Sequence, residues 1–347
     1  MAKMLSNPPK ETVSCMAFNT EWEWLLLVAS WDKTVSAYMV DSTMRIGQTI
    51  GHKGAVLACC WGKSLNAFSA GVDGTIWKRN YALNWGVDSN PSELFGTHDD
   101  AIISLAYSKT HDFVVSGSSD RTVRVWDAGS DKRNPSKPLF TIKSQCGVDS
   151  LDVLGDRLVV AGEKEINVYD LRMLVTPYYF LKNEITLQKR PRVTKMMTQG
   201  EGCALASVEG RVEIRYFNDK SKNYSFKATR REAASGDSPP EISPVNAIAF
   251  NPKHGTLVTG SSNGSIMSWN QSAKVRLATL VSPATSQNNV APVSALAFNH
   301  TGTHLAIATG DTFDNAAPPF ALSPPASLPK TQIIIRPVLL AESSRQS

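Results

Sequence analysis

The sequence repeats itself at a spacing that few folds can use. The stretch "SSDRTVRVWD" (118 to 127) has relatives at "SWDKTVSAYMV" (30 to 40), "GVDGTIWKRN" (71 to 80), "GEKEINVYD" (162 to 170), "SVEGRVEIRYF" (207 to 217) and "SSNGSIMSWN" (261 to 270). With Asp32, Asp73, Asp120, Glu163, Glu209 and Asn263 taken as equivalent, the copies stand 41 to 54 residues apart. A second series precedes them, alternating small and large apolar residues: "TVSCMAFN" (12), "AVLACCWG" (55), "AIISLAYS" (101), "GVDSLDVL" (147), "RVTKMMTQ" (192), "PVNAIAFN" (244) and "PVSALAFN" (292). Seven copies at that period, each reading as short strands parted by Gly, Asp, Asn and Ser turns, predict an all-β chain folded as a seven-bladed β-propeller. Six copies carry the turn-plus-strand element; "TQIIIRPV" (331 to 338) supplies the seventh. Pairing of the segment around Lys3 to Ser6 with that last blade would close the ring and remove its open edge. The reading gives one domain over 1–347, with a Pro/Ala/Ser-rich inserted loop at 310–330 and a flexible tail at 339–347.

Composition fits a globular chain: 42% apolar and 19% charged. No apolar run is long enough for a membrane helix, and the first residues lack the pattern of a secretory leader. The five cysteines, Cys15, Cys59, Cys60, Cys146 and Cys203, are odd in number and lack metal-ligand spacing, as expected of a reduced cytosolic or nuclear protein. A net charge of +5 and a pI near 8.9 permit an acidic or phosphorylated partner.

His98, Ser116, Asp120 and Trp126 stand where WD repeats hydrogen-bond a His, a Ser or Thr, an Asp and a Trp together. His52, Ser69 and Asp73 repeat the set without the Trp, where Lys78 or Arg79 stands. The same residues resemble a catalytic triad, but a constellation present twice in one ring is expected to be structural. No zinc motif, phosphate loop or nucleophile beside a base is present, so no metal, cofactor or catalytic activity is expected.

"SWDKTV", "GHKGAVLACCW", "GTHDDAI", "GDRLVVAGEKEINVYDLR", "SVEGRVEIRYF", "YSFKATR" and "PVNAIAFNPKHGTLVTGSSNG" together resemble the spindle-checkpoint WD-repeat family and its sister, the messenger-RNA export propellers that bind a nuclear-pore protein. "GTHDDAI", "GDRLVV" and "PVNAIAF" lean to the checkpoint side and "PKHGTL" to the export side. The resemblance implies peptide recognition on one face of the ring. One ligand is a short acidic motif of a checkpoint kinase or kinase-like protein, or of the nuclear-pore protein; another is a phosphothreonine motif of a kinetochore scaffold. It implies a place in the nucleus and at the kinetochore, and also in the cytoplasm. Trp31 matches a family tryptophan that lies against the peptide, whereas the second falls here on Ser119. Arg192, Arg211, Lys227 and Arg230 match the family's cations, with Ala228 and Thr229 where the family has Cys-His. Nucleic acid is a weaker reading, prompted by "LQKRPRVTK" (187 to 195).

Overall fold

The computed structural model describes residues 2–42, 44–50, 52–81, 92–129, 137–163, 165–173, 179–184, 190–229, 242–280, 291–310, 330–339 and 342. These residues form seven four-stranded antiparallel sheets, each the blade of a seven-bladed β-propeller. The innermost strands are Val13–Phe18, Val56–Trp61, Ile102–Ser108, Val148–Leu154, Pro191–Met196, Val245–Phe250 and Val293–Phe298, in blades 1 to 7. Each lies against the innermost strand of the next blade, and the seventh meets the first, so the ring closes around a channel. These are the seven apolar series found in the sequence.

The outermost strand of blade 7 comes from the other end of the chain: Lys3 pairs with Ile335 and Met4 with Ile334. This closure needs no covalent bond and covers the middle of that blade's third strand, Gln332–Pro337, with Leu5 N–H donating to the Ile333 carbonyl at 2.9 Å. Of the inserted loop at 310–330, residues 311–329 lie outside the described residues. Of the tail at 339–347, residues 340, 341 and 343–347 lie outside the described ones; Glu342 accepts from Arg336 at 2.6 Å.

The core is not one mass but seven layers, one between each pair of blades. Leu26, Val28 and Tyr38 of blade 1 pack with Ala306, Ile333 and Ile335 of blade 7. Phe68 and Ile76 of blade 2 pack with Val114 and Trp126 of blade 3. Small residues on one face let the bulky residues of its neighbour approach, which is why the series alternate.

Antiparallel pairing defines two rims. On the upper rim lie the start of each innermost strand, the turn between second and third strands, and the end of the outermost strand: Val13 faces Ser30, and Arg211 faces Lys227.

Candidate functional site

The repeated polar residues form a buried chain inside blade 3. His98 Nδ1 lies 2.8 Å from Asp120 Oδ2, its Nε2 2.7 Å from Ser116 Oγ, and Trp126 Nε1 donates to the same hydroxyl at 2.8 Å. Asp120 Oδ1 accepts from the amide and hydroxyl of Thr122 at 2.8 and 2.6 Å, fixing the turn. Burial works against the Asp120 carboxylate, yet the bonds from Thr122 and His98 outweigh it and hold its pKa down at about 2. Burial in turn lowers His98, against the pull of Asp120. Ser116 is fully buried, so its oxygen has no room for a substrate.

Blade 2 repeats the chain with longer bonds: His52 Nδ1 stands 3.2 Å from Asp73 Oδ2, and Nε2 2.9 Å from Ser69 Oγ. The register puts Arg79, not Lys78, at the tryptophan position, and its guanidinium lies 5.1 Å from the Tyr81 ring centre. Lys78 donates instead to the Ala128 carbonyl of blade 3. Blade 6 has a third version unmarked by histidine, with Trp269 Nε1 donating to Thr259 Oγ1 at 3.0 Å.

The upper mouth of the channel is shaped by a feature absent from any motif. In every blade the innermost strand shifts register across its second residue. A β-bulge turns the extra side chain out of the ladder, and here the seven extra residues are Ser14, Leu57, Ile103, Asp149, Arg192, Asn246 and Ser294. All seven line one cavity of about 350 Å³, and Trp31 lines it too. Arg192 thus owes its position to a bulge. Trp31, in the turn of blade 1, is 40% exposed.

Asp149, beside Arg192 in the ring, escaped the sequence reading. Arg190 Nε donates to its Oδ1 at 2.7 Å, while Oδ2 is buried with no hydrogen-bond partner among the described residues. Burial raises its pKa against the pull of Arg190.

Arg211 and Lys227 stand on the same rim but not in this cavity. They face each other across the two outer strands of blade 5, Arg211–Tyr216 and Tyr224–Lys227, with Lys227 exposed. Arg230 lies outside the described residues. Ala228 and Thr229, where the family has Cys-His, are buried, and Thr229 Oγ1 donates to the Ser243 carbonyl at 2.6 Å. Ser119 is exposed in the turn of blade 3 that corresponds to that of Trp31. At the same turn position Val72 of blade 2 and Val208 of blade 5 are 44% and 38% exposed. The residue just before the turn acid is the signal that would have found them.

Over its described residues, 190–195, the basic string forms no continuous cationic track. Arg190 is engaged by Asp149, Arg192 faces the channel, and Lys195 Nζ lies 3.4 Å from Asp152 Oδ1 inside it; residues 187–189 lie outside the described ones. A larger cleft of about 570 Å³ opens on the lower rim between blades 4 and 5, where Arg172 pairs with Asp170 and Arg157 donates to the Gly200 carbonyl. Among the described residues no cluster of three His, Cys, Asp or Glu could hold a metal ion, and no helix is long and apolar enough to cross a membrane.

Comparison with known proteins agrees with this architecture. The family "WD domain, G-beta repeat" matches residues 89–127 and 241–270. The chain is 35% identical over 315 residues to mitotic checkpoint protein BUB3.1 of Arabidopsis thaliana, covering 89% of this chain and 87% of the relative. Mitotic checkpoint protein bub3 of Dictyostelium discoideum is 31% identical, with 88% of each chain covered. The mRNA export factor GLE2 of Chaetomium thermophilum is also 31% identical, over 88% of this chain and 82% of its own. A WD propeller 35% identical to a checkpoint protein along nearly its whole length belongs to the Bub3 family of mitotic checkpoint WD-repeat proteins, whose sister family is the messenger-RNA export factors.

Proposed function

We propose that the protein is a non-catalytic adaptor of the spindle assembly checkpoint, working in the nucleus and at the kinetochore as well as in the cytoplasm. Its upper rim binds a short acidic motif of a checkpoint kinase or kinase-like protein, and a phosphothreonine motif of a kinetochore scaffold. The observation that carries this reading is the shared cavity of Trp31 and Arg192 at the channel mouth. An exposed indole offers apolar surface to a peptide, and a guanidinium lining the same cavity from blade 5 pairs bidentately with a carboxylate.

The phosphate falls to the second pair of cations, Arg211 and Lys227, which cross-strand register holds opposite each other at the rim of blade 5. A phosphothreonine there gains one to three charge-assisted hydrogen bonds, by the usual measure of such sites. The two pairs sit at different radii of one rim, so one extended ligand or two separate ones can engage them.

The experiment is a pull-down from mitotic and interphase extracts with the full chain. Recovery of a checkpoint kinase, enriched in mitosis and lost with Trp31→Ala, supports the reading. Recovery of nuclear-pore and export factors alone assigns the chain to the sister role, which the export-factor relative supports.

A further inference from the structure

Two of the five cysteines meet between the innermost strands of blades 1 and 2. Cys15, third residue of the innermost strand of blade 1, is half-buried and lines the upper cavity. Cys59, on the innermost strand of blade 2, is buried behind it. Both pack in the apolar layer between the two blades. Cys15 Sγ lies 3.6 Å from the Cys59 carbonyl oxygen, and Cys59 Sγ 3.8 Å from that of Cys15, so each sulfur already reaches the other's backbone.

The pair is asymmetric. The neighbouring Cys59 lowers the Cys15 thiol against the effect of burial, with help from the charge of Lys195 on blade 5. Contact with Cys15 and burial push Cys59 well above the ordinary thiol value. Cys15 is the sulfur that the channel exposes, so it is the one a dissolved oxidant meets first. Cys60 and Cys203 are buried, and burial pushes both thiols far up.

We propose that Cys15 and Cys59 are a peroxide-reactive thiol pair, in which Cys15 takes the oxidant through the channel mouth and Cys59 resolves it as a disulfide between blades 1 and 2. The Cys15 thiolate attacks one peroxide oxygen. The O–O bond breaks, the leaving hydroxide takes a proton and departs as water, and Cys15 becomes a sulfenic acid. Cys59, deprotonated, then attacks that sulfur; the S–O bond breaks and the second oxygen leaves as water. Two thiols are oxidised to one disulfide and one hydrogen peroxide is reduced to two waters. In a reducing compartment such a bond is transient, as expected of a sensing pair.

The test treats the reduced full chain with substoichiometric hydrogen peroxide and follows intact mass, free thiols and non-reducing peptide maps. The expected result is loss of two hydrogens, a Cys15–Cys59 linked peptide, and Cys15 consumed at least about tenfold faster than Cys60 or Cys203. In Cys59→Ser, Cys15 stops at the sulfenic acid and is trapped by a 1,3-dione probe; in Cys15→Ser the fast phase disappears; Cys60→Ser keeps it. Circular dichroism checks that each variant is folded. Equal consumption of all five thiols, a first linkage that omits Cys15 or Cys59, or an unreactive Cys15 in a folded chain overturns the proposal. None of these readouts depends on peptide binding.

Discussion

Removing the Asp120 carboxylate separates scaffolding from chemistry. In Asp120→Ala, the side chain that receives His98 at 2.8 Å, the Thr122 amide at 2.8 Å and the Thr122 hydroxyl at 2.6 Å is gone. The Thr122 hydroxyl, already 3.1 Å from His98 Nδ1, can accept from the ring, but the amides of Thr122 and Asp99 lose their acceptor. The Thr122 amide orphan costs about 1–3 kcal/mol, and the more exposed Asp99 amide and the weakened hold on His98 add to it, so the expected loss is about 2–4 kcal/mol. That is a large part of the roughly 5–15 kcal/mol that holds a domain folded. Asp73→Ala should cost less, because its bonds to His52 are 3.2–3.3 Å. Asp32→Ala should cost least, about 1 kcal/mol, since Asp32 caps only Thr34 and the Lys10 amide in a more open turn. Urea denaturation followed by tryptophan fluorescence measures all three, with the slope expected to stay constant. Peptide binding by the folded fraction should be unchanged. An Asp120→Ala protein as stable as the parent, or a reversed order of the three, would refute the structural reading of the network.

Three further outcomes follow from the same geometry. Acid should weaken the fold in steps: His98, its pKa lowered by burial, costs stability as pH falls below about 6.5, and the depressed carboxylates of Asp120 and Asp73 lose their contribution as pH falls from about 4 towards 2. Urea midpoints across that range should fall less steeply in a doubly substituted Asp73→Asn, Asp120→Asn chain. Gly210→Ala should destabilise by about 2 kcal/mol or more: its φ is +68° and a Cβ would sit 2.1 Å from Thr229 Oγ1, whereas Gly155→Ala, with open space around it, bears only the backbone strain. Thermal melting distinguishes the two. Ser119→Trp should restore a second aromatic wall on the upper rim and tighten binding of an acidic peptide about fivefold or more, read by fluorescence anisotropy.

What could be read from the sequence was what repeats. Blade number, the innermost strands, the swap of Lys3 and Met4 onto the last blade and the His-Asp contacts all follow from patterns that a radial fold must use several times over. What could not be read was what happens once, or what register decides. In blade 4 the turn is one residue shorter than in blade 3, with Ala161 facing Ile166 where Gly117 faces Val123. Glu163 therefore does not take the role of Asp120 despite its place in the period. Glu209, matched by spacing, leaves Oε1 buried without a hydrogen-bond partner among the described residues. The seven bulges leave no mark in composition, and so the company Arg192 keeps, Asp149 above all, emerged only from strand pairing. Arg211 and Lys227 share a rim with Trp31 and Arg192 but stand farther out, a radial distinction that no one-dimensional motif carries.

Isothermal titration of the parent chain, Arg192→Glu and Arg211→Glu with an acidic peptide and with a phosphothreonine peptide tests the division of the upper rim most directly. The account predicts that Arg192→Glu weakens the acidic peptide by about tenfold or more while sparing the phosphopeptide, that Arg211→Glu does the reverse, and that melting is unchanged in both. Parent-like affinity of both variants for both peptides would contradict it.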